Sequence, residues 1–178
     1  MNAAQILMEK MENFGIWESM LSVDRNEYVK VGNSIDTNIY FIVEGSLRIF
    51  VIDETEEHTI RLGYKNNLIA ALDSFITNRP SDLYIQALKK TKLKIVGKTA
   101  FLKFIESSTE NSSLWRIMLG ELIYQQMERE RDILTSSPEE RYKRVLERSP
   151  RLFQEIPNKY IASYLRMAPE TLSRIIKS

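Results

Sequence analysis

A set of polar residues near the C-terminus has the types and spacing to recognise the edges of nucleic-acid bases. The set comprises Glu170, Thr171, Ser173, Arg174 and Lys177, with Lys159 a short distance upstream. An arginine can bond guanine through two hydrogen bonds, a glutamate can accept one from cytosine, and hydroxyl or ammonium groups can hold phosphates. These side chains predict an interface with double-stranded DNA, provided that a helix presents them together.

The apolar residues around this set have the spacing of a helix-turn-helix. Two helices that cross steeply over a small shared core need a small residue at the crossing, and Ala162 suits that position. The apolar positions are Ile161, Ala162 and Leu165 in the first helix, Met167 in the turn, and Leu172, Ile175 and Ile176 in the second. Pro169 suits the first turn of the second helix, where its missing N–H leaves no bond unmade. A plain helical hairpin that caps the domain is the alternative.

Two positions depart from the best residues for this motif. Arg166 occupies the turn, where a positive φ angle favours glycine and costs other residues about 1–2 kcal/mol. Ala168 precedes Pro169 where a serine or aspartate cap would be better by about 1 kcal/mol. Both departures weaken the motif without abolishing it.

Charge is distributed unevenly along the chain. Residues 137–178 hold nine basic and five acidic side chains, a net of +4, whereas residues 1–106 hold 13 basic and 14 acidic ones, a net of −1. A positive C-terminal segment on a near-neutral chain favours approach to DNA. A solvated charged surface is the alternative explanation.

Apolar patterning indicates one helix followed by β-structure in the N-terminal half. The helix, with Ile6, Leu7, Met11 and Phe14 at helical spacing, should end near Gly15. Alternating residues predict short strands at 39–43, 47–52, 58–62, 83–88 and 93–96. A hairpin is expected at Glu44-Gly45-Ser46 and a further turn at 65–67. Regular short strands of this kind predict a small sandwich or barrel.

Helical patterns return after residue 98. A short helix is predicted over 99–105, followed by a long one that Asn111-Ser112-Ser113 can cap and that runs to about Leu134. Ser136-Ser137-Pro138 ends the long helix and begins another. An apolar stripe on the long helix is expected to pair with a second copy in a homodimer: Leu114, Ile117, Met118 and Leu122. Packing against its own domain alone is the alternative.

Several classes of function are disfavoured. The chain has no cysteine and one histidine, His58, in an acidic stretch, so a metal site is not expected. It has no phosphate-binding glycine loop and no hydrolase or metalloprotease motif, so an enzyme is not expected. No run of 18 apolar residues and no signal peptide is present, so we expect a cytoplasmic protein without a membrane partner.

Segments in both halves resemble the Crp/Fnr family of bacterial transcription regulators. Tyr40-Phe41-Ile42-Val43-Glu44-Gly45-Ser46-Leu47-Arg48 is similar to the family's strand–glycine–strand signature, and Gly32 to the glycine that opens its β-roll. Residues 161–165 and 169–174 resemble the family's DNA-reading segment, so Glu170 and Arg174 match base-contacting positions. Pro169 replaces an arginine that some members use.

This resemblance implies an α+β fold with an N-terminal double-stranded β-roll, a cyclic-nucleotide-binding-like jelly roll. A long dimerisation helix and a C-terminal helix-turn-helix would follow. The corresponding ranges are a sensor domain at 1–110, the dimerisation helix at 111–136 and a DNA-binding domain at 137–178. Many members continue into a β-hairpin wing, and the absence of one after Ser178 puts affinity in doubt. RNA polymerase is a further possible partner.

The segment that would hold a cyclic nucleotide departs from the family pattern. Family members that bind one carry a Gly-Glu pair for the ribose and, further on, an Arg-Ser pair for the phosphate. Ala70-Ala71 and Ser81-Asp82 stand there instead. Arg79 lies two residues before the missing arginine, but a two-bond phosphate contact needs a placed guanidinium and not just a nearby charge. Cyclic AMP is therefore not expected, no cofactor is assigned, and any replacement pocket would involve Ala70, Ala71, Phe75, Arg79, Ser81, Asp82 and Tyr84.

One alternative function remains open at this point. The chain could be a sensor module for a cyclic nucleotide or another small ligand, with C-terminal helices that contact protein instead of DNA. Arg166 and the missing wing are the observations that favour it.

Overall fold

A computed structural model describes residues 3–178 and begins with a helix, α1 (Ala3–Phe14). Leu7 and Met11 are fully buried on one side of α1, and Gly15 ends the helix with a φ angle of 66°. The eight strands of this region are β1 (Ser19–Val23), β2 (Tyr28–Lys30), β3 (Asn38–Glu44), β4 (Ser46–Asp53), β5 (Glu56–Tyr64), β6 (Leu68–Ile69), β7 (Tyr84–Ala87) and β8 (Thr91–Gly97). A short helix, α2 (Leu72–Thr77), lies between β6 and β7.

The strands form a double-layered roll. One antiparallel sheet has the order β1-β8-β3-β6 and the other the order β2-β7-β4-β5, so β5 is an edge strand. Apolar side chains from both sheets fill the space between them, among them Tyr40, Ile42, Leu47, Ile49, Ile85 and Leu93. The predicted sandwich is thereby confirmed as a β-roll.

The expected hairpin at Gly45 is wrong. The chain turns there, but β3 and β4 belong to different sheets, so the turn carries the chain from one layer to the other. Gly45 has a φ angle of 96°, and a Cβ atom on it would lie 2.6 Å from the Lys90 carbonyl oxygen, which explains the glycine. The hairpin instead joins β4 to β5 through Glu54, whose φ angle is 52°.

Two helices follow the roll: α3 (Lys98–Glu106) and the long α4 (Thr109–Leu134). The cap of α4 is Ser108, whose hydroxyl accepts a hydrogen bond from the Asn111 backbone N–H over 3.1 Å, and not the predicted Asn111–Ser113. Helices α1, α3 and α4 share a core in which Phe101, Phe104 and Trp115 pack together. The first turns of α4 are therefore part of the roll's own core.

Four short helices complete the chain: α5 (Pro138–Arg148), α6 (Leu152–Glu155), α7 (Asn158–Tyr164) and α8 (Pro169–Lys177). Ser137 caps α5, and Pro138 occupies its first turn as predicted. Helix α6 was not anticipated, because four residues are too few for a periodic apolar pattern. A third core cluster joins these helices to Leu88 of the roll.

Candidate nucleic-acid interface and junction cavity

Helices α7 and α8 form the expected two-helix corner. Arg166 has a φ angle of 55°, and its N–H donates to the Ser163 carbonyl over 3.1 Å. The next N–H, of Met167, donates to the Ala162 carbonyl over 3.0 Å, which completes a Schellman motif. An arginine thus occupies the left-handed position that favours glycine, as the sequence predicted.

A second arginine supports this turn. The Arg141 guanidinium of α5 donates to the Leu165 and Arg166 carbonyl oxygens at 3.1 and 3.2 Å. Ala162 is fully buried where the helices cross, against a fully buried Leu172. The corner is therefore held by packing and by a charged cap. Backbone strain at Arg166 opposes it, as does the buried Arg141 Nε, which has no partner in the described chain.

The outer face of α8 carries the predicted DNA-contacting residues. Glu170, Ser173, Arg174 and Lys177 line one shallow concavity, while Thr171 lies half-buried beside them. Within residues 3–178, the side chains of Glu170, Arg174 and Lys177 form no hydrogen bond or salt bridge with another residue. Lys159 lies on α7, with its ammonium 4.6 Å from the centre of the Tyr160 ring, so it is not part of this group.

The other face of the corner packs on the roll. The Thr59 backbone N–H of β5 donates to the Ser163 hydroxyl over 3.1 Å, and the Thr59 carbonyl accepts from Arg129 of α4 over 2.8 Å. Arg48 lies 4.8 Å from the centre of the Tyr160 ring. The edge strand β5 is thus covered by α7, which satisfies backbone groups that an edge strand usually leaves free.

Ion pairs hold the bend between α4 and α5. Asp132 is 2% exposed and binds Arg144 over 2.8 Å and also Arg148, while Glu128 binds Arg144 over 3.1 Å. The hydrogen bond to Asp132 raises the pKa of Arg144. These contacts orient the C-terminal helices relative to the long helix.

The predicted stripe on α4 is turned mainly toward its own chain. Leu114 is 8% exposed within the roll-side core, and Met118 and Leu122 face a cavity, so only Ile117 of the predicted set is free. The exposed apolar residues are Ile117, Ile123, Tyr124, Met127 and Leu134, and Gly120 lies among them with open space around it. The sequence did indicate this face, because its residues recur every seven positions: 117 and 124 form one series, and 120, 127 and 134 form another.

The residues expected to form an effector pocket are not gathered in one place. Arg79 and Asp82 are exposed, Ala71 is fully buried in the roll core, and Ser81 is 3% exposed in backbone pairing with Ser34. Tyr84 stacks on Phe50 with ring centres 5.1 Å apart and covers Gly32. Only Ala70 and Phe75 of this set line a cavity.

A buried cation lies beneath this segment but is already saturated. Lys30 is 5% exposed, and its ammonium donates to the carbonyl oxygens of Val31, Ser81 and Leu83 at 3.0, 3.0 and 2.7 Å. Burial lowers the pKa of Lys30, with Asp36 acting in the opposite direction. An ammonium with all three protons engaged has none left for a phosphate.

The cavity lies elsewhere, where the roll, α4 and the C-terminal helices meet. This junction cavity has a volume of about 380 Å³. Its apolar wall is formed mainly by Leu72, Phe75, Trp115, Met118 and Leu122, and Val145, Leu152 and Tyr164 contribute from the C-terminal helices. Arg61 of β5 also lines it. The sequence did not reveal this site, because its walls come from segments far apart in the chain.

Comparison with known proteins links the chain to others through structure alone. No family model matches it, and no curated protein matches it in sequence. FixK2 from Bradyrhizobium japonicum is 18% identical, with a TM-score of 0.73 over 89% of this chain and 82% of FixK2. A CooA mutant from Carboxydothermus hydrogenoformans is 14% identical, with a TM-score of 0.74 over 99% and 83%. A transcriptional regulator of the CRP family from Thermus thermophilus is 12% identical, with a TM-score of 0.64 over 88% and 82%.

This protein has the CRP-type fold. The Crp/Fnr resemblance seen in the sequence is thereby confirmed for the fold, with a β-roll, a long helix and C-terminal helices. Within residues 3–178, no helix of this CRP-type fold is both long and apolar enough to cross a membrane.

Proposed function

We propose that the protein is a transcription regulator that binds DNA as a homodimer and does not respond to cyclic AMP. The observation that carries this proposal is the outer face of α8. Glu170, Ser173, Arg174 and Lys177 share that face, and Arg174 and Lys177 bring positive charge and form no salt bridge within residues 3–178. A major groove admits such a helix and offers base edges and phosphates to these groups.

The exposed stripe on α4 supports the homodimer. Tyr124 and Met127 are 61% and 52% exposed, and Leu134 is 78% exposed, which is costly for apolar side chains in water. Their seven-residue spacing fits the seam of a two-stranded coiled coil with a second copy of the same helix. A two-fold axis along α4 would present two α8 helices to half-sites about one DNA turn, ~34 Å, apart.

The roll lacks the groups that cyclic AMP needs. Ala71 is buried where a ribose acceptor is expected, Ser81 is engaged in backbone pairing, and Lys30 donates to three carbonyls. Any effector must therefore bind by other contacts. We further propose that the protein is not an enzyme. In this proposal residues 1–110 form a sensor domain for an effector, and residues 137–178 bind DNA. The protein would act on DNA in the cytoplasm, with RNA polymerase as a further partner.

Selection from a pool of random duplexes at low salt tests the proposal. The wild-type chain should enrich a two-fold symmetric site. Arg174→Gln should relax selectivity at one base position in each half-site, by about 1–3 kcal/mol. Lys177→Gln should weaken binding to all sequences and reduce the salt slope by about 1 per protomer.

Arg116→Gln is the matched control, because Arg116 is an exposed arginine near the start of α4 and far along the chain from α8. It should leave both site preference and salt slope unchanged. Retention without sequence enrichment, with the same affinity for all three variants, would contradict the proposal. It would favour the alternative in which the C-terminal helices contact protein.

A further inference from the structure

Arg61 of β5 is a half-buried arginine without a partner. It lines the junction cavity, yet its guanidinium makes no hydrogen bond or salt bridge to any residue in the described range 3–178. A guanidinium carries five N–H donors and a permanent charge. The nitrogen atoms of Arg61 are not among the described buried atoms without a partner, so they are only partly withdrawn from water, which is still unfavourable without a counter-charge. Such a group calls for an anion that the chain itself does not supply.

The neighbouring charges increase that need. Burial lowers the pKa of Arg61, and Arg129 lowers it further against the opposing effect of Tyr164. Arg129 is itself half-buried, with its guanidinium 4.8 Å from the centre of the Tyr164 ring. Arg129 is not among the residues that line the junction cavity, but its charge adds to the positive potential at Arg61.

The other charged residues of the cavity wall do not neutralise Arg61. Arg148 is bound to Asp132, so that pair carries no free charge. Glu121 also lines the cavity, but it is exposed and forms no salt bridge within the described chain. Among the described lining residues, Arg61 is thus the cation whose charge is uncompensated.

The rest of the junction cavity suits an apolar body. Phe75, Trp115 and Met118 are among its walls, and its volume of about 380 Å³ lies within the range of small-molecule sites. A water-filled cavity of this lining would leave apolar surface wet and Arg61 unpaired. A molecule with an anionic group and an apolar body would pair with Arg61 and also cover the apolar wall.

We propose that the junction cavity binds a small organic anion, with its carboxylate, sulfonate or phosphate on Arg61 and an aromatic or aliphatic body among Phe75, Trp115 and Met118. Its role as an effector rests on the proposed function, but its binding does not. The ligand would touch β5, α4 and Tyr164 of α7 together. Its binding would therefore stabilise the packing of the helix-turn-helix on the roll.

Two fluorescent probes on one scaffold test the anion requirement in the full-length chain. 1-Anilinonaphthalene-8-sulfonate carries a sulfonate, and N-phenyl-1-naphthylamine is the same frame without it. The wild-type chain should bind the sulfonate probe roughly tenfold or more tightly than the neutral probe, because a charge-assisted hydrogen bond forms only with the first. Arg61→Met should abolish that preference and keep the affinity for the neutral probe.

Arg116→Met is the control, because it removes the same charge from an exposed position. It should keep the preference for the sulfonate. Thermal unfolding gives an independent reading: Arg61→Met without probe should raise the midpoint by about 2–4 °C, since an unpaired charge is removed. The sulfonate probe should raise the midpoint of wild type and not that of Arg61→Met.

Equal affinity of wild type for the two probes, or an unchanged preference in Arg61→Met, would overturn the proposal. A lower midpoint for Arg61→Met would also overturn it, since Arg61 would then have a structural partner. Selection of duplexes by the wild-type chain is measured separately. If the probes fail to bind while DNA selection is intact, only the cavity proposal fails. If the probes bind as expected while no DNA site is selected, only the proposed function fails.

Discussion

The hydroxyl of Ser163 accepts a hydrogen bond from the backbone N–H of Thr59 over 3.1 Å. Ser163 belongs to α7, which positions α8, and Thr59 belongs to the edge strand of the roll. Ser163 also donates to the Glu57 carbonyl over 3.3 Å. A single side chain of α7 is thus bonded to two backbone groups of the roll, in addition to the Arg48–Tyr160 contact and the shared core at Leu88.

Ser163→Ala should loosen this attachment. The Thr59 N–H loses its acceptor, and a buried donor without a partner costs about 1–3 kcal/mol. Hydrogen exchange at the Thr59 amide should accelerate, while amides of the central strand β7 stay protected. Ser173→Ala, at a serine of α8 whose hydroxyl has no described hydrogen bond, serves as the control. Unchanged exchange at Thr59 in Ser163→Ala would show that packing alone holds α7 on the roll.

Asp132→Asn should destabilise the bend between α4 and α5. It leaves Arg144 and Arg148 without their main counter-charge. The side chains of these arginines are 31% and 24% exposed, so we expect about 2–3 kcal/mol, below the 3–5 kcal/mol of a fully buried pair. Urea unfolding followed by circular dichroism measures the loss. Glu130→Gln removes the same charge from an exposed position two residues away and should cost less than about 0.5 kcal/mol. Equal losses of stability in both variants would contradict the role of Asp132 in holding the bend.

Met127→Glu should dissociate the proposed homodimer. A carboxylate placed in an apolar seam must lose water on both copies, so dissociation should be favoured about 100-fold or more. Sedimentation at micromolar concentration should then give the monomer mass. Gln125→Glu adds the same charge beside the junction cavity and should remain dimeric. A dimer that survives Met127→Glu would mean that the seam lies elsewhere.

Arg166→Gly should stabilise the chain by about 1 kcal/mol, because glycine adopts the φ angle of 55° without the steric cost of a Cβ atom. Arg151→Gly makes the same replacement at a φ angle of −63° and should destabilise by about 0.5–1 kcal/mol. Thermal unfolding of both variants shows whether each replacement raises or lowers the stability of the chain. A loss of stability in Arg166→Gly would mean that its side chain matters more than its backbone.

Calorimetry with cyclic AMP and cyclic GMP should give no binding heat at micromolar concentrations. Ala71 offers no acceptor to a ribose, and the exposed Asp82 would repel a phosphate. The probe that binds the junction cavity is the positive control for folded, competent protein. Micromolar binding of either nucleotide would contradict this account of Ala71 and Ser81.

Features that depend on residues close together in the chain could be predicted from the sequence. The helix-turn-helix, the cap at Ser137-Pro138 and the strained turn at Arg166 each arise within a few residues, because caps, turns and helix pairs are local. Alternation along the strands likewise predicted a small sandwich or barrel, although it could not tell which strands share a sheet. Gly45 illustrates that limit, since a turn between sheets and a hairpin have the same residue types.

By itself, the sequence determined the broad order of helix, strands, long helix and C-terminal helices, and it predicted the two-helix corner. The proposal that cyclic AMP is not bound also starts from the sequence. Only the tertiary structure decided which face of α4 is free. Leu114 is covered by residues about a hundred positions earlier in the chain, and Met118 faces the junction cavity. It also brought Arg61 beside Arg129 and Tyr164. Helical spacing states which residues share a face, whereas burial of that face and the partners of its charges depend on segments that meet only on folding.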